Sequence, residues 1–350
     1  MTNSSDLVIK RINYKCFNVF AQVPIYIDQW VLQFGSKEGE SLNATLNIYS
    51  VTKTFNHHKV IANDNISTQF LPGEVTALTG HNGAGKSTLL NQIMGTVKPN
   101  RGSITFSGHS LAQEPAFARN VISMMPQLHA PIAGVTLRQA ISAIARIRGA
   151  HGRALRTEVD KILDTLHMNE WADMPGEKLS GGLRRLTSFA MTVVRPSPIL
   201  LFDEPTNDVD PVRRKLLWQC LRKLALQGHI VIVVTHNLLE VEQYADRYLF
   251  MHHGRLIKDE QVNILSHDRL SSAVLTINAK HAFKNNELPQ ADRIVTSDEF
   301  QYDLFLKADD MTDAVSWLSA KVATEEIRNY RLSPASLNDV YGGLTDGNKR

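Results

Sequence analysis

Cysteine is almost absent from this chain. Its 350 residues include only Cys16 and Cys220, too few for a disulfide framework, and no group of cysteine and histidine residues has metal-ligand spacing. Cys220 shares a helical stripe with Leu217, Leu221 and Leu224, which predicts a thiol packed in the core. These counts are typical of a protein from a reducing compartment, here the cytoplasm.

Long apolar runs are absent as well. The longest apolar strand-like run, Ile230–Val234, falls far short of the roughly 18 residues that indicate a membrane helix. Residues 1–6 do not form a basic segment followed by an apolar one, so we expect no signal peptide. Any membrane function is therefore expected to come from another chain.

Charge of one sign is not in excess. A net charge of +3 gives no reason to expect nucleic acid as the main partner. Hydrophobic content of 43% and charged content of 21% are ordinary for a globular protein with a core. The length predicts two domains, or one large domain with an appendage.

The most informative segment is a phosphate-binding loop of the form G-x-x-x-x-G-K-[ST]. It consists of Gly80, His81, Asn82, Gly83, Ala84, Gly85, Lys86, Ser87 and Thr88. An apolar run over 75–79 predicts a buried strand before it, and residues 87–94 predict a helix after it. The glycines let successive backbone N–H groups point at an anion, and the helix dipole adds to the attraction. Lys86 is placed to reach the β- and γ-phosphates and Ser87 to ligate Mg²⁺, so the loop predicts a nucleoside triphosphate site.

Short apolar strands alternate with helical patterns from about 45 to 260, which favours a mostly parallel sheet. The strand candidates are 45–51, 75–79, 103–106, 121–125, 199–203, 230–235 and 247–251. Between about 128 and 195 the strand pattern lapses, which predicts an inserted helical subdomain. From about 272 the pattern predicts a strand, a hairpin, a helix over about 311–323 and a last strand.

Two helix starts are well marked. Asp210 precedes Pro211 as a capping carboxylate, and Gly228 closes that helix. Thr136 and Gln139 have the spacing of a capping box. The helix that they open carries one apolar face, made by Leu137, Ala140, Ile141, Ile144 and Ala145.

An apolar strand over 199–203 ends in the two carboxylates Asp203 and Glu204. Beside the phosphate loop, Asp203 would hold Mg²⁺ and Glu204 would polarise the attacking water as general base. Phosphoryl transfer needs positioning and charge neutralisation, which these groups supply. The alternative is a plain helix cap or loop anchor.

Residues 179–185, Leu-Ser-Gly-Gly-Leu-Arg-Arg, open the helix after the inserted region and resemble a second anion site. With this run the chain resembles the ATP-binding-cassette (ABC) family, whose signature is Leu-Ser-Gly-Gly. The resemblance implies a head-to-tail dimer in which ATP on one phosphate loop is closed over by Ser180, Gly181 and Gly182 of the other subunit.

The other elements of the family follow in order. Gln127 matches the glutamine that touches Mg²⁺ and senses the membrane partner, and residues 207–210 match the loop along the dimer interface. His236 matches the histidine that contacts the γ-phosphate, and Phe55 lies where the family places a ring against adenine. Each of these residues alone would more readily be explained as structural, but their order and spacing favour the functional interpretation.

The chain also departs from the family pattern. Leu183 replaces the usual glutamine of the signature, and Asn207-Asp208-Val209-Asp210 replaces the common Ser-Gly-Leu-Asp. Both changes fall on the dimer interface, so the partner cassette is either an identical copy or a different chain. Residues 332–341 resemble a C-terminal run of bacterial drug-, antibiotic- and lipid-type exporter ATPases, with an ordinary packed terminus as the alternative. Residues 1–44 are an extension of unknown role, whose aromatic residues we expect to pack on the core.

The resemblance implies an α/β fold of the P-loop NTPase type. We expect a mostly parallel core sheet, an antiparallel β subdomain, the helical insertion at about 128–195 and a small α+β appendage over 261–350, with the ATPase domain spanning 45–260. The expected function is an Mg²⁺-dependent ATPase subunit of an exporter, peripheral on the cytoplasmic face of the cell membrane. Its partners would be a separately encoded permease and a second ATP-binding subunit, with no nucleic acid. The alternatives are a soluble ABC ATPase without a transporter and a regulatory cassette with weak hydrolysis.

Overall fold

The computed structural model describes residues 45–56, 59–128, 133–262 and 272–334. They belong to one compact unit, Ala44–Arg350. The predictions for residues 1–44, with Cys16, and for 335–341 of the C-terminal run lie outside the described residues. No helix within the described ranges is both long and apolar enough to cross a membrane.

The strands lie in three sheets. They are β1 (Leu46–Phe55), β2 (Val60–Phe70), β3 (Val75–Gly80), β4 (Arg101–Phe106), β5 (His109–Ser110), β6 (Ile122–Met125), β7 (Ile199–Asp203), β8 (Ile230–Val234), β9 (Arg247–His252), β10 (Arg255–Gln261), β11 (Ser272–Ala279), β12 (Arg293–Asp298), β13 (Gln301–Lys307) and β14 (Ile327–Pro334). The helices are α1 (Lys86–Ile93), α2 (Pro115–Val121), α3 (Leu137–Ile147), α4 (Gly152–Thr165), α5 (Gly181–Val193), α6 (Pro211–Leu226), α7 (Leu238–Tyr244) and α8 (Met311–Ala323).

The central sheet has the strand order β10-β9-β3-β8-β7-β6. Five of its strands run parallel, and β10 pairs antiparallel with β9 at one edge. Every residue of β7 and β8 is buried, as expected for Ile- and Val-rich strands covered on both faces. The predicted mostly parallel core sheet is therefore confirmed, and the carboxyl ends of β3, β6, β7 and β8 meet at one edge.

A second, antiparallel sheet has the order β2-β1-β4-β5. The pairing of β1 with β2 contains several register shifts, and Ser50 and Asn65 have positive φ angles of 48° and 51°. Such irregularities bend a ladder and increase its twist. This sheet is the expected antiparallel β subdomain.

Helices α3, α4 and α5 fill the chain between β6 and β7, where the described residues contain no strand of any sheet. The capping box at the start of α3 is confirmed, because Gln139 N donates to Thr136 Oγ1 at 3.2 Å and Thr136 N donates to Gln139 Oε1 at 2.9 Å. Asp210 caps α6 as predicted, accepting from Arg213 N at 3.1 Å. Cys220 on α6 is buried, and burial raises the pKa of its thiol to about 12, so it is an inert core residue.

A third sheet, of order β12-β13-β11-β14, is antiparallel throughout and packs with helix α8. Its core includes Leu275, Ile277, Leu304 and Leu318. The predicted strand, hairpin, helix and last strand are all present. The sequence-based division into domains at about 44 and 260 stays a prediction.

Candidate active site

The phosphate loop joins β3 to α1 and depends on two glycines that touch neighbouring backbone. Gly80 has φ +141°, and a Cβ atom there would lie 2.1 Å from Met251 O. Gly85 has φ +103°, and its Cβ would lie 2.1 Å from Ala62 O. Both the backbone conformation and the space therefore demand glycine, and the loop curls tightly against β2 and β9.

Lys86 is buried at the start of α1. Its Nζ donates to Gly80 O at 2.6 Å and to His81 O at 2.9 Å, so the ammonium group is held within the loop. Burial lowers the pKa of Lys86, while the nearby Glu204 and Asp203 carboxylates oppose that change. A cation with only neutral hydrogen-bond partners is well placed to bind an anion.

Ser87 and Asp203 meet across the sheet edge, because α1 begins beside the end of β7. Ser87 Oγ donates to Asp203 Oδ2 at 3.2 Å, and Asp203 is only 5% exposed. Burial raises the pKa of Asp203, against the opposing effect of the Ser87 hydrogen bond. A hydroxyl paired with a buried carboxylate offers two oxygen ligands of the kind that Mg²⁺ prefers.

Glu204 sits in a strained backbone conformation directly after β7. Its φ is +52°, and its N–H donates to Val234 O at 2.9 Å. Glu204 Oε1 lies 2.9 Å from His236 Nδ1, whereas the buried Oε2 has no hydrogen-bond partner among the described residues. Strain of this kind concentrates at functional sites, and it is found here beside a buried carboxylate oxygen without a partner among the described residues.

Arg185 is a positioning residue that the sequence did not single out beyond its place in the signature run. Although it is almost fully buried, it donates Nη2 to Asp203 O at 2.6 Å and Nε to Glu204 O at 3.0 Å. Its Nη1 donates to the carbonyls of Pro126 and Gln127. One guanidinium thus joins the signature helix to the ends of β6 and β7. Its partners are backbone carbonyls, which no sequence pattern reveals.

A buried carboxylate supports the loop after Glu204 from behind. Glu240 Oε2 accepts from Thr206 Oγ1 and from Trp218 Nε1, both at 2.8 Å. Its Oε1 accepts from Asn237 Nδ2 at 2.9 Å and lies 3.2 Å from Arg214 Nη1. This network connects α6 and the start of α7 to Thr206, in the loop that follows β7.

The signature residues lie at the first turn of α5. Ser180 Oγ accepts from Leu183 N at 3.3 Å, so the hydroxyl caps its own helix. A Cβ at Gly182 would lie 2.5 Å from Asp208 O, whereas a Cβ at Gly181 would lie 4.0 Å from Asp208 Cβ. The signature and the interface loop, where the sequence departs from the family, thus pack directly on each other.

The remaining predicted site residues are Gln127, Phe55 and the rest of the phosphate loop. Gln127 is exposed, and within the described ranges its side chain makes no hydrogen bond to Ser87 or Asp203, although it lies near the same sheet edge. Phe55 ends β1 and is 41% exposed, with Lys53 Nζ 5.1 Å from its ring centroid. Within the loop Asn82 and Gly83 are exposed, Ala84 is buried, and Thr88 lies in the first turn of α1.

The chain is similar in sequence to known proteins. Residues 63–207 match the family model described as ABC transporter. The chain is 30% identical over 304 residues to the Nod factor export ATP-binding protein I of Burkholderia pseudomallei (strain 1710b), covering 86% of this chain and 97% of that protein. It is 28% identical over 305 residues to the protein of the same name from Sinorhizobium fredii (strain NBRC 101917 / NGR234), covering 87% and 86%.

Solved structures show the same fold. An ATP-binding subunit of an ABC transporter superposes with a TM-score of 0.59 at 22% identity, covering 63% of this chain and 92% of that one. A dimeric ATP-binding cassette in a post-hydrolysis state with ADP and Pi gives 0.57 at 23% identity, covering 62% and 98%. Together with the sequence relatives, these findings show that the chain belongs to the ABC transporter family, as an ATP-binding subunit with ATPase activity.

Proposed function

We propose that this chain drives export by binding ATP between two cassettes and hydrolysing it with Glu204 as the general base. The observation that carries the proposal is the sheet edge where Lys86, the Ser87–Asp203 pair and the Glu204–His236 pair converge. A buried cation, a hydroxyl–carboxylate pair and a free carboxylate oxygen are the groups that phosphoryl transfer to water requires.

The phosphate loop would hold the triphosphate. Its N–H groups and the N-terminus of α1 attract the phosphate oxygens, and Lys86 would exchange its two carbonyl partners for oxygens of the β- and γ-phosphates. Phe55, partly exposed at the end of β1, would stack on the adenine ring.

The residues also fit a magnesium ion. Ser87 Oγ and Asp203 Oδ2 are already adjacent, and Gln127 follows β6 at the same edge, so these three would hold the ion. When bound, Mg²⁺ neutralises charge on the phosphate oxygens.

Glu204 would take a proton from the attacking water at Oε2, the carboxylate oxygen without a partner among the described residues. His236 Nδ1 holds the other oxygen, Oε1, and thereby fixes the orientation of the carboxylate. As an accessible ring beside Glu204, His236 would also contact the γ-phosphate.

The second half of the site would come from a second cassette. ATP-binding subunits of this family form dimers and pair with membrane subunits. Here Ser180, Gly181 and Gly182 would close over the nucleotide on the facing protomer, and a separately encoded permease would bind at the cytoplasmic face of the membrane. Export is supported by relatives named for export, which match over 86% or more of their own length.

Glu204→Gln tests the mechanism. It should lower the turnover of ATP in the presence of Mg²⁺ by about 100-fold or more, while ATP binding is kept. Trapped ATP should then hold the variant as a dimer in light scattering after gel filtration. Lys86→Ala should instead lose ATP binding.

The matched control is Glu170→Gln, which removes an exposed carboxylate between helices α4 and α5. This control variant should keep the wild-type turnover, and its dimers should dissociate after hydrolysis as those of the wild type do. Near-normal hydrolysis by Glu204→Gln would contradict the assigned base. Failure to co-purify with any integral membrane protein, together with binding to RNA, would favour the transporter-independent alternative.

A further inference from the structure

Three histidines lie together at the outer side of the phosphate loop. His81 is the second residue of the loop, and His252 and His253 lie where β9 turns into β10. One ring nitrogen from each lies within 4.8 Å of the others. The ring centroids are 4.2 to 5.0 Å apart. The proposed hydrolysis assigns no role to these three imidazole rings.

The tautomer of His81 is fixed by its backbone contact. Its Nδ1 lies 2.8 Å from Asn82 O, and a carbonyl oxygen only accepts, so Nδ1 carries the hydrogen. The lone pair is therefore on Nε2, which among the described residues accepts one long hydrogen bond, 3.4 Å from His253 N. In a metal-binding histidine, one ring nitrogen usually donates its hydrogen to a carbonyl or carboxylate oxygen and the other nitrogen binds the metal. The Nδ1–H of His81 makes a hydrogen bond of this kind.

His252 supplies a second, independent observation. Its Nδ1 is buried and has no hydrogen-bond partner among the described residues. Buried polar nitrogens are rarely left unpaired, so this atom calls for a ligand.

The cluster joins two segments that already touch. Gly254 N donates to Ala84 O at 3.0 Å, so the β9–β10 turn is hydrogen-bonded to the far end of the phosphate loop. His81 O, in turn, accepts from Lys86 Nζ. An ion held by the three rings would fasten the loop to the turn at both ends.

We propose that His81, His252 and His253 form a transition-metal site that binds Zn²⁺ and clamps the phosphate loop to the β9–β10 turn. Three imidazoles and one water complete the tetrahedral shell that zinc prefers, and imidazole suits zinc better than it suits magnesium or calcium. Zn–N bonds of about 2.0–2.1 Å require the three nitrogens to approach one another by small side-chain rotations.

The test is zinc titration of the full chain after removal of metal, followed by calorimetry. The wild type should bind one Zn²⁺ that resists competition by Mg²⁺, and zinc should raise the melting temperature because it binds only the folded site. Co²⁺ in place of zinc should give the strong visible absorption of a tetrahedral site. In His252→Gln/His253→Gln the affinity should fall at least about tenfold and the absorption should disappear.

His109→Gln is the matched control, because His109 is a half-exposed histidine paired with Glu114 outside the cluster. It should bind zinc as the wild type does. His253→Gln, a single substitution of an exposed residue, should fold normally and should also weaken zinc binding. Equal zinc affinity in the cluster variants and in His109→Gln would overturn the proposal, as would a Co²⁺ spectrum typical of six-coordinate oxygen ligation.

Discussion

The two halves of the proposed ATP site are built differently. In the phosphate half, Lys86, Ser87, Asp203, Glu204 and His236 already contact one another or the loop, at 2.6 to 3.2 Å. In the signature half, the Ser180 hydroxyl caps its own helix, and Gly182 packs on the interface loop.

The difference shows where each half gets its geometry. The phosphate half is held by buried strands and by Arg185, so one chain is enough to assemble it. The contacts of Ser180 and Gly182 described above are with their own helix and with Asp208. We therefore expect each nucleotide to be bound and hydrolysed by the phosphate half of one protomer and closed over by the signature half of the other.

Ser180→Arg should have the largest effect, because a bulky cation replaces the hydroxyl that would face the partner's nucleotide. Turnover should fall at least about 100-fold, with ATP binding to the same chain's phosphate loop kept. Mixing this variant with Glu204→Gln should restore about a quarter of the wild-type rate if half of the dimers are mixed and each has one intact site.

That mixing experiment sharpens the comparison, since either variant alone is inactive. Activity in the mixture would show that both defects fall in one composite site of a mixed dimer, which leaves the other site intact. A mixture as inactive as its parts would instead mean that Ser180 acts on its own chain's nucleotide, or that the active pair is formed with a different cassette.

Gly182→Ala should have an intermediate effect, confined to stability and the interface loop. Its new methyl group would meet Asp208 O, and overpacking of this kind costs about 1–3 kcal/mol. Gly181→Ala is the matched control, because its new methyl group would lie 4.0 Å from Asp208 Cβ and alanine favours the helix. Urea unfolding followed by circular dichroism measures both, and equal midpoints would show that the loop simply moves aside.

Asp203→Asn should have the smallest effect, and in the opposite direction. Burial raises the pKa of Asp203, so the folded state favours the protonated form. Its contribution to stability is present below the unfolded pKa of about 3.9 and is lost as the pH rises through the folded value. At pH 7 the ionised carboxylate therefore destabilises the nucleotide-free protein.

The substitution should raise the free energy of unfolding at pH 7 by about 0.5–2 kcal/mol while abolishing the magnesium dependence of nucleotide binding. Urea titrations at pH 7 and near pH 4 check it, because the gain should vanish in acid. A loss of stability at pH 7 would show that the Ser87 hydrogen bond and the nearby Lys86 outweigh burial.

Much of the fold could be predicted from apolar runs. Strands β2 and β10 could not, and their residues explain why. β2 alternates irregularly between buried and exposed residues and contains a buried Asn63, while β10 is a charged edge strand. β10 is held by ladder hydrogen bonds and by the Arg247–Asp259 pair rather than by an apolar run. Such pairing depends on partners distant in sequence, which no local pattern contains.

In the site, the sequence placed the groups with distinctive spacing but missed their supports. Lys86, Ser87, Asp203 and Glu204 stand in motifs, whereas Arg185 acts through carbonyls and Glu240 through side chains from three segments. The positive φ of Glu204 is also invisible in its residue type, because glutamate rarely adopts that conformation.

Arg185 connects the start of α5 to Glu204 through the backbone carbonyl of that residue rather than through its carboxylate. The same side chain donates hydrogen bonds to backbone carbonyls at the ends of β6 and β7. A movement of α5 would therefore also displace the peptide that precedes Glu204, which has a left-handed backbone conformation. A displacement of the helical region would thus be transmitted by one buried guanidinium to the backbone of Asp203 and Glu204.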